Sequence, residues 1–197
     1  MIRVRTDDVM VSSKDFPGEE GVGRFRAIVK WLAEAPDRIE HVPMVLVKEI
    51  QEFPTAVAFL KEQVKAGIIY PQVHGYEHVD YKVKRFDMIV EDLKRCKGWF
   101  ETTLGYTPTI FATPWGASAQ HIKDAAAAVD MVVETTEGTL EVPFVTGELR
   151  RGIPLTTFDG RVILAHWWER GTRLQRLGLA AKHGSWVQAA IAQPGAF

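Results

Sequence analysis

Three short segments carry the side chains from which a reactive site could be assembled. Asp7-Asp8 closes a short stretch of alternating apolar residues, His74 and His78 flank Gly75-Tyr76-Glu77 directly after a β-rich run, and His166 ends Leu164-Ala165-His166. Two histidines at i and i+4 fall on one face of a helical turn, where both imidazoles can reach one ion. A carboxylate added to two histidines makes a cation site that keeps positions open for water or substrate. A second carboxylate and a further imidazole would supply a base and an acid. A fourth segment, Phe111-Ala112-Thr113-Pro114-Trp115-Gly116, again follows an apolar run, and its Pro-Trp-Gly breaks the chain there. Each segment also has a plainer reading: an Asp pair as a turn or helix cap, a histidine as a hydrogen-bonded core residue, Pro-Trp-Gly as a simple turn. All four lie at the ends of candidate strands, where parallel α/β folds gather their reactive groups.

The elements that would position them alternate. Strand character is read over residues 2–6, 42–47, 68–73, 109–111 and 131–134, and residues 153–158 and 161–166 flank Asp159-Gly160 as a hairpin. Helical spacing is read over 21–35, 54–66, 86–104 and 118–128, and over 172–192 with a break at Gly184. Pro54 suits a first helical position, and Gly67 and Gly105 suit helix stops. Residues 135–152 read as a long loop. The alternation predicts an α/β fold with a largely parallel sheet of six or seven strands, open or closed into a barrel.

At 197 residues the chain is expected to form a single domain spanning 1–197, large enough to fold on its own core. Hydrophobic residues are 46% and charged residues 25%, which excludes a disordered chain. Lys plus Arg is 24 against 25 for Asp plus Glu, a formal charge of −1, so no net field draws it to nucleic acid or an anionic membrane. The one cysteine, Cys96, reads as an inert helix residue. No apolar run is long enough for a membrane span, and the chain as given shows no signal-peptide pattern, so a cytoplasmic protein is expected. Gly21-Val22-Gly23 is too short for a dinucleotide fingerprint.

Taken together, the four segments resemble the polysaccharide deacetylases, the NodB-homology carbohydrate esterases. Arg5-Thr6-Asp7-Asp8-Val9 is similar to the family's Thr-Phe-Asp-Asp-Gly motif, and His74-Gly75-Tyr76-Glu77-His78 to its His-Ser/Thr-x-x-His motif. Ala112-Thr113-Pro114-Trp115-Gly116 is similar to Arg-Pro-Pro-Tyr-Gly, and Leu164-Ala165-His166 to Leu-x-His, in the same order over residues 3–166. The resemblance implies a distorted (β/α) barrel of about seven strands and a divalent metal, most often zinc, with cobalt, nickel or iron as alternatives. It implies that Asp8, His74 and His78 hold the metal. Asp7 would be the general base toward metal-bound water, and His166 the general acid toward the leaving amine. The turn at Pro114-Trp115 would contribute a backbone N–H to an oxyanion. The implied substrate is an acylated amino sugar, oligosaccharide or related acylated amine. Trp115, Trp167 and Trp168 lie near the expected rim, where indoles can stack on sugar rings.

The sequence departs from the family pattern at three places. Ala112 stands where the third motif has an arginine that pairs with the base, Val9 replaces the glycine of the first motif, and no acidic-Trp fourth motif is recognisable around residues 131–134. Arg5 lies two residues before Asp7, so in an extended strand both side chains point to one side, and Arg5 is expected to take the charge-pairing role. Three other readings share parts of this pattern. His74-x-x-Glu77-His78 fits the pattern of the inverzincin metalloproteases, which belongs inside a helix. Two histidines and a carboxylate also make the facial triad of non-haem iron oxygenases, on a different fold. The alternative from another class is a carbohydrate- or nucleotide-sugar-binding module that keeps the fold without turnover.

Overall fold

A computed structural model describes residues 2–9, 39–134, 140–141 and 163–166, together with helical positions 22, 23, 25, 26, 29, 30 and 33. The strands are β1 (Ile2–Val9), β2 (Ile39–Leu46), β3 (Gln72–Gly75), β4 (Ile110–Ala112), β5 (Val132–Glu134), β6 (Leu140–Glu141) and β7 (Ile163–His166). They form one sheet in the order β5-β4-β3-β2-β1-β7-β6, and every pairing in it is parallel. The helices are α1 (Val47–Ile50), α2 (Pro54–Lys65), α3 (Phe86–Leu104) and α4 (Gln120–Ala127). The α/β class and parallel sheet expected from the alternation are therefore present. No pairing between the edge strands β5 and β6 occurs among the described residues.

Both faces of the sheet are covered, which is why its strands read as nearly continuous apolar runs. One face supplies Val45, Val73 and Phe111 to the main core. Against them α2 brings Leu60, α3 brings Ile89, Leu93, Cys96 and Phe100, and α4 brings Ile122, Ala125 and Ala126. The α3 residues recur at helical spacing, and the helix ends at Gly105, whose left-handed φ of 80° turns its N–H onto the Phe100 carbonyl. Val42, Met44 and Ala112 form a second, smaller buried cluster. Alternation along β2 puts Val42 and Met44 on the opposite face from His41 and Val45.

The sheet is strongly curved. Strand order places β1 and β5 four spacings apart, roughly 19 Å in a flat sheet. Yet the Arg5 guanidinium on β1 reaches the Glu134 carboxylate on β5 at 3.4 Å. Only a sheet curled about that face brings the two within reach.

Several boundaries differ from those read in the sequence. The strand expected over 68–73 is Gln72–Gly75, because Gly67 turns left-handed, Ile69 makes only an isolated bridge to His41, and Pro71 has no N–H to donate. His74 therefore lies inside a strand rather than after one. The strand read over 2–6 continues to Val9, and the helix read over 118–128 begins at Gln120 because Ala119 is extended. The loop read over 135–152 holds the two-residue strand β6, paired with β7. Residues 153–162, the helix read over 172–192, and Trp167-Trp168 lie outside the described residues.

His41 of β2 is buried. Its Nε2 lies 2.9 Å from the Thr6 hydroxyl, while its buried Nδ1 has no hydrogen-bond partner among the described residues. Burial pushes its pKa down to about 3. The folded state thus refuses a proton that the unfolded chain binds below about pH 6.5, so stability is full above that pH and falls as pH drops toward 3. Between pH 7.5 and 5.0, His41→Leu should lose about 2 kcal/mol less stability than wild type, measured by denaturant midpoints. Equal losses would contradict the assignment.

Candidate functional site

The site is built where two strands are interrupted. On β1 the register with β2 runs Thr6↔Pro43 and then Val9↔Val45, so three steps on β1 oppose two on β2. Asp7 and Asp8 fall in that bulge, and Asp8 takes a left-handed φ of 57°. Regular alternation would send two adjacent carboxylates to opposite faces. A bulge re-aims one of them, at the cost of local strain. β3 repeats the device: Val45↔Val73 is followed by Leu46↔Gly75, and His74 is the extra residue.

The bulges bring Asp8, His74 and His78 together. His74 Nε2 lies 2.9 Å and His78 Nε2 3.0 Å from Asp8 Oδ1. All three ligand atoms fall within 4.8 Å of one another, as a shared metal ion would need. The backbone between the histidines is not the helical turn expected from the i, i+4 spacing. His74 lies inside β3, Gly75 ends the strand at φ 134°, and a loop follows from Tyr76. An inverzincin reading, which needs the pattern inside a helix, is therefore excluded.

The donor chemistry fits a cation. His74 Nδ1 sits 2.7 Å from the Ala112 carbonyl, an acceptor, so Nδ1 carries the hydrogen. That leaves Nε2 as the ring nitrogen facing the Asp8 carboxylate at 2.9 Å, where a proton or a metal ion can lie between them. Ligand atoms about a tetrahedral zinc stand about 3.4 Å apart, given bond lengths near 2.1 Å, so the cluster would open by a few tenths of an ångström.

Asp7 is held apart from this group. Arg5 Nε donates to Oδ1 and Arg5 Nη2 to Oδ2, each at 2.6 Å, a bidentate fork between buried groups. Arg5 is fully buried, and its Nη1 reaches Glu134 at 3.4 Å. Burial opposes the guanidinium's charge, but the bonds and charge of Asp7, then Glu134, outweigh it and leave its pKa raised. Backbone register sets His166 of β7 directly beside Asp7 of β1. The fourth segment forms a 3-10 turn, Pro114–Gly116, in which Trp115 adopts a left-handed φ of 53°. That conformation is strained for a large side chain, and it holds the exposed indole edge-on to His78, ring centroids 4.4 Å apart.

Two carboxylates escaped the sequence reading. Glu49, on the α1 turn after β2, accepts from the His78 N–H at 3.4 Å, and burial raises its pKa above the ordinary range. Glu134 closed a recognised strand, but nothing in its spacing pointed to Arg5.

Residues 43–133 match the family model of polysaccharide deacetylase. No curated protein matches the chain. Among solved structures, a family 4 carbohydrate esterase pseudoenzyme from Bacillus anthracis is 16% identical, with a TM-score of 0.59 over 84% of this chain and 54% of that one. A mutant of that protein has restored enzymatic activity. A family 4 carbohydrate esterase from Streptomyces lividans, in complex with acetate, is 17% identical, with a TM-score of 0.56 over 96% of this chain and 83% of that one. A family 4 acetyl xylan esterase from Clostridium thermocellum, in complex with a cobalt ion, is 14% identical, with a TM-score of 0.57 over 84% and 73%. The chain spans about half the length of the Bacillus anthracis protein. The sequence match lies within residues 43–133, and the fold is similar to that of family 4 carbohydrate esterases.

Arg5 is the cation that pairs with the buried Asp7 and the half-buried Glu134. Arg5→Met should cost about 3–5 kcal/mol of stability, because it removes the guanidinium that holds both oxygens of the buried Asp7 carboxylate. Arg5→Lys should recover part of that loss, since an ammonium restores the charge but not the fork. A denaturant midpoint for Arg5→Met within experimental error of wild type would contradict this arrangement.

Proposed function

We propose that residues 1–197 form a single metal-dependent deacetylase domain that removes an acyl group, acetyl foremost, from an amino sugar or related acylated amine. The observation that carries the reading is the convergence of Asp8, His74 and His78 beside an Asp7 fixed by Arg5. Asp8, His74 and His78 would hold the metal, with zinc first and cobalt, nickel or iron as alternatives. A divalent cation in that position supplies a Lewis acid, activating water and polarising an acyl carbonyl.

The chain's own residues divide the remaining work. Asp7, with both oxygens engaged by Arg5, is oriented to take the proton from the attacking water. His166, in register with Asp7, is assigned to protonate the departing amine. The backbone of the Pro114-Trp115 turn is assigned to the oxyanion. The exposed Trp115 indole beside His78 offers an apolar face to a sugar ring. The curved sheet supports closure into the distorted barrel of the resembling family.

Two observations favour a second reading, a carbohydrate- or nucleotide-sugar-binding module without turnover: Ala112 replaces the motif arginine, and a pseudoenzyme stands among the structural neighbours. Arg5 on the Asp7 carboxylate argues for the first.

Acetate release from N-acetylglucosamine oligomers, assayed with zinc or cobalt, separates the two. The deacetylase reading expects turnover that falls roughly 10²- to 10⁴-fold in Asp7→Asn and His166→Ala, with metal content unchanged in Asp7→Asn. Stoichiometric metal with no release from any acetylated amine would select the binding module.

A further inference from the structure

His74 is fixed by its strand and by the Ala112 carbonyl, but His78 sits on the ten-residue connection 76–85, which must hold its shape without helix or strand. Glu49 accepts from the His78 N–H on one side of that loop, and a buried phenol holds its first turn on the other. Tyr81 is fully buried, edge-on to Phe111 at 5.1 Å. Its hydroxyl accepts from the Tyr76 N–H at 3.1 Å and donates to Asp92 on α3 at 3.4 Å. Asp92 is itself buried and paired with Lys84, whose ammonium also lies over the Tyr81 ring at 5.0 Å. The phenol also fills the space a side chain would need at position 75. A Cβ on Gly75 would stand 2.8 Å from the hydroxyl, in a backbone conformation that L-residues rarely adopt. Burial first, then the charges nearby, push the Tyr81 pKa well above its ordinary value, so the group stays a phenol able to accept and donate at once. From the other side, the Lys48 N–H donates to the Tyr76 carbonyl at 2.9 Å.

We propose that Tyr81, backed by Asp92 and Lys84, is a positioning residue for metal binding: it ties the loop to α3 at Tyr76 and so sets where His78 stands relative to Asp8 and His74. Its hydroxyl touches neither substrate nor the reacting atoms; it acts through the backbone of the His78 arm. This rests on the metal reading above. Groups that orient metal ligands from behind commonly govern affinity by 10- to 100-fold.

The test is a double-mutant cycle read by calorimetric zinc titration of the folded, metal-stripped full chain. Tyr81→Phe keeps the ring and deletes the two hydrogen bonds. Its zinc Kd should rise 10- to 100-fold in the wild-type background. In a His78→Ala background, where no arm is left to place, Tyr81→Phe should change Kd less than twofold. Leu60→Val on α2, buried far from the loop in sequence, controls for general loosening of the core and should leave Kd unchanged. Gly75→Ala, which pushes against the same hydroxyl, should weaken zinc like Tyr81→Phe. If wild type binds zinc and Tyr81→Phe binds it equally well, the positioning role is overturned while the metal site stands. An equal loss in both backgrounds overturns it too, since Tyr81 would then not act through His78. If wild type binds no zinc, the metal reading itself falls and the inference with it.

Discussion

A guanidinium without access to water organises the centre of this protein. Arg5 must be compensated where it lies, because an unpaired buried charge is among the costliest defects a fold can carry. Asp7 answers with both oxygens and Glu134 with one, so a single cation ties the first strand to the fifth. That tie requires the sheet to curl, and the curl turns strand ends on separate segments toward a shared face.

The chemistry is set by where the sheet gives up its regularity. An unbroken β1 would separate Asp7 from Asp8 by the thickness of the sheet, and an unbroken β3 would offer no turn after His74. One extra residue in each strand aims Asp8 and His74 at each other. Left-handed Asp8 and Trp115, together with Gly75, are strained or unusual conformations concentrated around the same few ångströms. The packed helices and covered sheet are what make such strain sustainable. No helix among the described residues is long and apolar enough to cross a membrane.

Much of this was legible in the residues. Helix α3 announced itself by an apolar stripe and a terminal glycine, and it spans the residues that pattern marked. The pairing of Arg5 with Asp7 follows from the two-residue repeat of an extended strand, and that repeat holds up to the bulge. The histidine spacing misled, because i, i+4 pairs serve one ion on a helix and equally well across a strand end and a bent loop. The pattern cannot tell the two apart when glycine stands between. The strand read over 68–73 slid forward because only an isolated bridge, Ile69 to His41, forms before Pro71, and continuous pairing begins at Gln72. Glu49, Glu134 and Tyr81 carried no motif at all. Their importance comes from tertiary proximity, from a turn packed on a loop, a curled sheet and a phenol against a glycine.

The most direct test of the central claim is a crystal structure of the protein grown with zinc, with anomalous difference density measured across the zinc edge. The account predicts a peak within about 2.0–2.2 Å of Asp8 Oδ1, His74 Nε2 and His78 Nε2. His74 Nδ1 should still donate to the Ala112 carbonyl. Ordered side chains with no anomalous peak among those three atoms, or zinc bound elsewhere while Asp8 hydrogen-bonds both imidazoles directly, would contradict it.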